Sequence, residues 1–122
     1  MSKERIQLGQ EGEEIAVAYL KNLKYKILEC NYRTAFGELD IVALEGSTYC
    51  FVEVKTRSSQ RFGLPQEAVG EAKKRKLLQS AYAYLQQKRL EEVPFRFDVV
   101  SIIMKDTQSP QIELLKDAIE FD

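Results

Sequence analysis

The sequence predicts an α/β domain in which helices flank a mixed central sheet, in the order α-β-β-β-α-β with a short trailing strand. Three observations predict it. Residues 3–23 and 66–89 repeat apolar side chains at helical spacing. Between them lie three strand-like runs separated by short turns. A further apolar run, residues 94–105, follows the second helix. A strand returning after a long helix is commonly parallel to one already in the sheet, through a right-handed crossover.

Length and composition bound the function. The 122 residues read as one domain, 1–122, large enough for a core without staples. With 44% apolar and 30% charged residues the profile is that of a soluble globular protein, expected in the cytoplasm. No apolar run suits a membrane span, and MSKERIQLG is not a signal peptide. A net charge of −1 means that any nucleic-acid binding must come from a local patch. Cys30 and Cys50 read as reduced, mostly buried thiols. The absence of histidine excludes Ser-His and Cys-His triads and argues against a zinc enzyme. Hard cations with oxygen ligands, Mg²⁺ or Mn²⁺, stay open.

The first helix places one acid inward. From Glu13, steps of three, four, seven and ten reach Ala16, Val17, Leu20 and Leu23, all apolar. From Glu14 the same face reaches Lys21 and Lys24. Glu13 therefore sits on the buried stripe, where a carboxylate is costly unless paired or bound to a metal. The alternative is a first-turn acid favoured by the helix dipole.

Residues 25–32, 36–44 and 48–56 form the three strands, with a hairpin turn at Glu45-Gly46-Ser47. The organising stretch is GELDIVALEGSTYCFVEVK, from Gly37 to Lys55. Strand residues two apart share a face, so Glu38 lies with Asp40 and Glu53 with Lys55, while Val52 and Val54 face the core. Pairing the strands brings two or three carboxylates and one ammonium to one spot. A divalent cation relieves the repulsion between such carboxylates, and the chemistry this suits is metal-assisted attack on a phosphodiester.

Residues 57–65 read as a loop, with Pro65 able to open the second helix. Val69, Ala72, Leu77, Ala81, Tyr84 and Leu85 form its packing stripe, and Gly70 marks a break or a later start. Between Lys55 and Lys76 seven basic residues face two acidic ones. Lys73, a turn before Leu77, is placed to reach toward the site from the helix start. On the fourth strand Phe95, Phe97 and Val99 line one face, Asp98, Val100 and Ile102 the other. Arg96 and Asp98 read as a structural pair. Residues 111–115 are the short last strand.

This order, with Asp40 and then Glu53-Val54-Lys55 ending the next strand, resembles the PD-(D/E)XK nuclease superfamily and its restriction-endonuclease-like fold. More closely, GQEGEEIAVAYL, NYRTAFGELDIVA, FVEVKTR, the Phe62-Gly63 loop and RFDVV resemble the YraN-like family of small bacterial proteins, from about Gly9 to Val100. That family is itself similar to archaeal Holliday-junction resolvases.

The resemblance implies a metal-dependent endonuclease acting on DNA, with a preference for particular DNA structures. It implies that Asp40 and Glu53 bind the metal with the carbonyl of Val54. Glu13 would hold metal or a metal-bound water, and Lys55 would orient the attacking water or stabilise developing charge. Catalysis would rest on Glu13, Asp40, Glu53 and Lys55. Arg33, Arg57, Arg61, Lys73 and Lys76 would contact phosphates of the nucleic acid. Resolvase-like enzymes use two sites for two strands, so a homodimer is expected by analogy. Two other readings stand beside the nuclease: a nucleic-acid-binding module that keeps the site without cutting, and a non-catalytic interaction protein. For Glu53 and Lys55 the plainer alternative is a strand ion pair, worth under about 1 kcal/mol when exposed.

Overall fold

The structure, a computed structural model, describes residues 3–58, 70–104 and 109–121, with side chains from residue 7 onward. Helix α1 (Lys3–Asn22) leads into strands β1 (Lys26–Thr34), β2 (Gly37–Glu45) and β3 (Thr48–Arg57). Helix α2 (Glu71–Gln87), β4 (Phe95–Ile103) and β5 (Gln111–Leu115) follow. Among the described residues the strands form one five-stranded sheet in the order β1-β2-β3-β4-β5. The first three make an antiparallel meander, β4 joins β3 in parallel across α2, and β5 adds antiparallel to β4. The predicted mixed sheet between helices is the architecture observed.

Each face of the sheet is covered by one helix. Ala16 and Leu20 of α1 pack on Ile41, Ala43, Cys50, Val52, Val100 and Ile102. Leu77, Ala81, Tyr84 and Leu85 of α2 pack on Leu39, Val42, Phe51, Phe97 and Val99. Each such Leu, Ile or Phe, fully buried, contributes about 2 kcal/mol of transfer free energy. Central β4 is buried continuously from Phe97 to Ile103 because both of its faces are covered.

The turns follow local chemistry. A two-residue turn joins β2 to β3, with Gly46 at φ 62°, a positive value that glycine adopts without steric cost. At the preceding turn the Thr34 hydroxyl accepts the main-chain N–H groups of Phe36 and Gly37. β1 therefore runs on through Thr34 rather than ending at Tyr32. Both helices end without glycine. Lys24 (φ 72°) and Arg89 (φ 56°) take the left-handed conformation. Tyr25 N–H then reaches back to the Leu20 carbonyl, and Leu90 N–H to that of Leu85.

Three expectations are corrected. Leu23 is 44% exposed, because α1 stops at Asn22 and the chain turns away at Lys24. Ala72 is exposed: five residues before Leu77, it lies about 140° round the helix from it. Cys30 is exposed, because it sits on edge strand β1 beside an open groove rather than under α1. Cys50 is buried as expected. Helix α2 begins after Gly70, the later of the two expected starts. Arg61, the Phe62-Gly63 loop, Pro65, residues 66–69 and residues 105–108 lie outside the described residues. No described helix is long and apolar enough to cross a membrane.

Candidate active site

The site forms where β2 and β3 part company. Their ladder runs from Glu45–Thr48 to Ile41–Val52 and goes no further. Strict alternation is lost at the same point, since Leu39 and Val42 both pack on the α2 side. Asp40, between them, fills the gap with its side chain: Oδ2 accepts the main-chain N–H of Val54 at 2.9 Å. In an antiparallel ladder one residue turns its N–H and its C=O to the same neighbour. The Val54 carbonyl thus belongs to the same widened edge as the Asp40 carboxylate.

Glu53 precedes Val54 and is buried. Its carboxylate lies beside that of Asp40, close enough for the two to influence each other's protonation. Burial, then the charge and hydrogen bond of Glu53, push the Asp40 carboxyl well above the usual carboxylate range, and the Val54 N–H offsets only part of this. The Glu13 charge adds in the same direction. Two crowded carboxylates with a main-chain carbonyl at the same edge are a donor set suited to Mg²⁺ or Mn²⁺. Mg²⁺ takes one or two protein carboxylates and keeps several waters.

Two lysines close the site. Lys73, on the first turn of α2, places Nζ 3.1 Å from Glu53 Oε1. Lys55 lies beside Lys73, so two basic side chains crowd next to the Glu53 carboxylate. Burial, then the neighbouring Lys73, hold the Lys55 pKa below its ordinary range, against the pull of Glu53 and Asp40. For Lys73 burial acts downward, but its contacts with Lys55 and the Glu53 carboxylate outweigh it and raise the pKa.

Glu13 is half-buried in the middle of α1, not in its first turn, so the helix-dipole alternative does not describe it. It shares a cleft of about 460 Å³ with Val54, Lys55, Thr56 and Arg57. Gly12 brings it there. A Cβ on Gly12 would stand 1.9 Å from Thr56 Oγ1, so only glycine lets α1 lie this close to β3. Among the described residues no three carboxylates or thiolates converge as a ready metal cluster. Asp40 and Glu53 are in contact, and Glu13 stands on the cleft wall.

The residues expected to meet nucleic acid are spread around this centre. Arg57 lines the cleft beside Lys55. Lys76 shares a smaller cleft, about 140 Å³, with Glu38, Glu53 and Lys73. Arg33 is on edge strand β1 and pairs with Glu38 at 3.5 Å. Arg61 lies outside the described residues. At the opposite end of the sheet, Arg96 and Asp98 form the structural pair expected of them. Arg96 Nε donates to Asp98 Oδ1 at 2.9 Å, and Nη2 donates to Glu45 at 2.7 Å and to the Tyr25 hydroxyl at 2.8 Å.

Lys73 was expected to reach toward the site from the helix start, and it does, though its partner Glu53 was not named. Its direction is legible, since Leu77, Ser80, Ala81 and Tyr84 lie four, seven, eight and eleven residues on and are all buried. That spacing puts Lys73 on the packed face. The close approach at Gly12 has no comparable signal, because its partner Thr56 is distant in the chain.

A half-buried helix glutamate, an aspartate in the gap between two strands, and a Glu-x-Lys at the end of the next strand define a restriction-endonuclease-like domain. The chain belongs to the uncharacterised protein family UPF0102, the YraN-like group of that superfamily, whose pattern matches residues 12–102. It is 48% identical to a UPF0102 protein of Syntrophus aciditrophicus strain SB over 117 residues, 96% of this chain and 91% of the relative. It is 47% identical to a UPF0102 protein of Geobacter metallireducens over 120 residues, 98% of each chain.

Proposed function

We propose that the protein is a divalent-metal-dependent endonuclease that hydrolyses DNA phosphodiester bonds. The observation that carries this reading is that Asp40, held by the Val54 N–H in the gap between β2 and β3, shares that edge with buried Glu53, the residue before Val54, with Lys55 following on the same strand. Asp40, Glu53 and the Val54 carbonyl would hold Mg²⁺ or Mn²⁺, and Glu13 would act from the cleft wall. The bound ion supplies Lewis acidity and a more acidic water.

The chain's own residues divide the remaining work. Lys55 directs its ammonium at the oxygens on which charge builds as water attacks phosphorus, and charge aimed there lowers the barrier. Its depressed pKa follows from the same crowding that makes the site compact. The Val54 N–H fixes one Asp40 oxygen and so fixes the carboxylate plane. Arg57, Lys76 and Arg33 contact phosphates without reading sequence, and they position the strand rather than choose it. A site in an open cleft at the end of a strand suits an exposed or distorted backbone, which motivates a preference for branched DNA.

The test is incubation with Mg²⁺ or Mn²⁺ and linear duplex, single-stranded, flapped and four-way-branched DNA, with RNA as comparison. Metal-dependent products that vanish with chelator and in Glu53→Gln support the reading. Failure to cut any form overturns it. Salt-sensitive binding without cleavage would establish a nucleic-acid-binding module instead.

A further inference from the structure

Lys73 is the basic residue that, among the described residues, forms an ion pair with Glu53, at 3.1 Å. The Glu53 side chain is 4% exposed, and an ionised carboxylate so buried needs a counter-charge. Lys73 supplies it from a side chain that is itself half exposed. Its helix does not favour it there. Lys73 is the third residue of α2, in the first turn, where the helix dipole favours acids and disfavours an ammonium. The position is explained by Glu53. The long, flexible lysine stem leaves the ammonium free to move while the helix stays in place.

We propose that Lys73 is the site's built-in counter-cation: its ammonium holds Glu53 in the metal-free protein, yields that carboxylate to a divalent ion, and is then available to a substrate phosphate. The proposal rests on the reading of Asp40 and Glu53 as metal ligands and deepens it. A divalent ion and an ammonium repel, and both seek the same carboxylate. Lys55 already lies against Lys73, so the released side chain moves outward into the small cleft lined by Gly37, Glu38 and Lys76. That cleft adjoins the carboxylates and carries the exposed Lys76. Metal loading thereby adds a second ammonium to a basic surface facing the substrate backbone. Lys73 is a positioning residue in the free protein and a phosphate contact in the loaded one.

The test is calorimetric titration of Mn²⁺ into wild type, Lys73→Met and Lys73→Arg, each checked for folding by circular dichroism. Lys73→Met is expected to bind Mn²⁺ roughly five-fold or more tightly, the scale set by losing one ion-pair competitor. Lys73→Arg keeps the competing charge and stays near wild type. Tighter binding in Lys73→Met alone, or binding that only this variant shows, supports the proposal. If wild type binds Mn²⁺ and Lys73→Met binds equally or more weakly, the proposal falls while the metal-site reading stands. Tightening in Lys73→Arg as well removes charge as the cause and also overturns it. If no protein binds Mn²⁺, the metal-site reading falls with it. Lys73→Gln takes the place of Lys73→Met should that variant not fold.

Discussion

The Val54 main-chain N–H donates to Asp40 Oδ2 at 2.9 Å, and this single bond replaces the ladder where β2 leaves β3. It ties the position of one acid to the strand that carries the other. Asp40→Asn keeps an acceptor for that N–H and can donate to Glu53, so the fold survives it. In the metal-free protein the Asp40 carboxyl is raised, so the native state holds a proton more tightly than the unfolded chain. This contribution is full below the unfolded pKa and is lost as pH rises through the folded one. Metal-free Asp40→Asn is therefore expected to melt higher than wild type at pH 8, with the difference shrinking toward pH 4. Each kcal/mol is worth roughly 4 °C in a domain of this size. With Mn²⁺ at about 100 times its Kd the order reverses, since ligand binding stabilises wild type by about 2.7 kcal/mol. Thermal melts at two pH values, with and without Mn²⁺, check both signs.

Lys55→Met keeps the length of the side chain and removes its charge. On the proposed mechanism kcat falls roughly 10²–10³-fold, the usual cost of removing one group that stabilises charge in the transition state. Metal affinity does not fall with it. Single-turnover cleavage beside a metal titration separates the two effects.

Gly12→Ala drives a methyl group to 1.9 Å from Thr56 Oγ1. Overpacking costs about 1–3 kcal/mol, against which alanine returns about 1 kcal/mol of helix propensity. A net loss near 1 kcal/mol is expected in urea unfolding. Adding Thr56→Ala removes Oγ1 and Cγ2 and recovers part of that loss. The same displacement moves Glu13 from the cleft it shares with Lys55, so metal affinity weakens together with stability.

Arg96→Met tests the other end of the sheet. It leaves Asp98, 0% exposed, with the Asp117 main-chain N–H at 2.9 Å as its hydrogen-bond partner among the described residues. Breaking a buried pair in this way costs about 3–5 kcal/mol. Denaturant unfolding is expected to show that loss. Metal affinity in the folded fraction stays unchanged, because Arg96 pairs in register with Cys50, well before Glu53 on β3.

Thiol labelling of the native protein is expected to modify Cys30 and spare Cys50 until denaturant is added. Cys30, though exposed, reacts slowly at neutral pH, because partial desolvation beside α1 and then the Glu13 charge push its thiol pKa up. Burial does the same to Cys50, up to about 11.

Much of the fold was legible because it follows from periodicity. The alternation through Phe51–Val54, the continuous apolar run of β4 and the helical stripe from Leu77 to Leu85 each reflect a covered face. The Asp40 and Glu53 positions were legible as acids interrupting apolar strands. Their contact across the gap was not, since the parting of β2 and β3 depends on tertiary pairing that no local pattern records. Ala72 misled through spacing: five residues do not return to the same helix face. Cys30 misled through strand order, because an edge strand gives its residues less cover than their composition suggests. The Lys73–Glu53 ion pair needs both the helix phase and the sheet register, and the sequence supplies only the first.

The measurement that tests the central claim most directly is a crystal structure with Mn²⁺, reading the anomalous signal of the metal. The account predicts a peak within oxygen-ligand distance of both Asp40 and Glu53, with Lys73 Nζ moved away from Glu53. A fully loaded crystal with no peak at that pair, or a peak elsewhere with Lys73 still on Glu53, would contradict it.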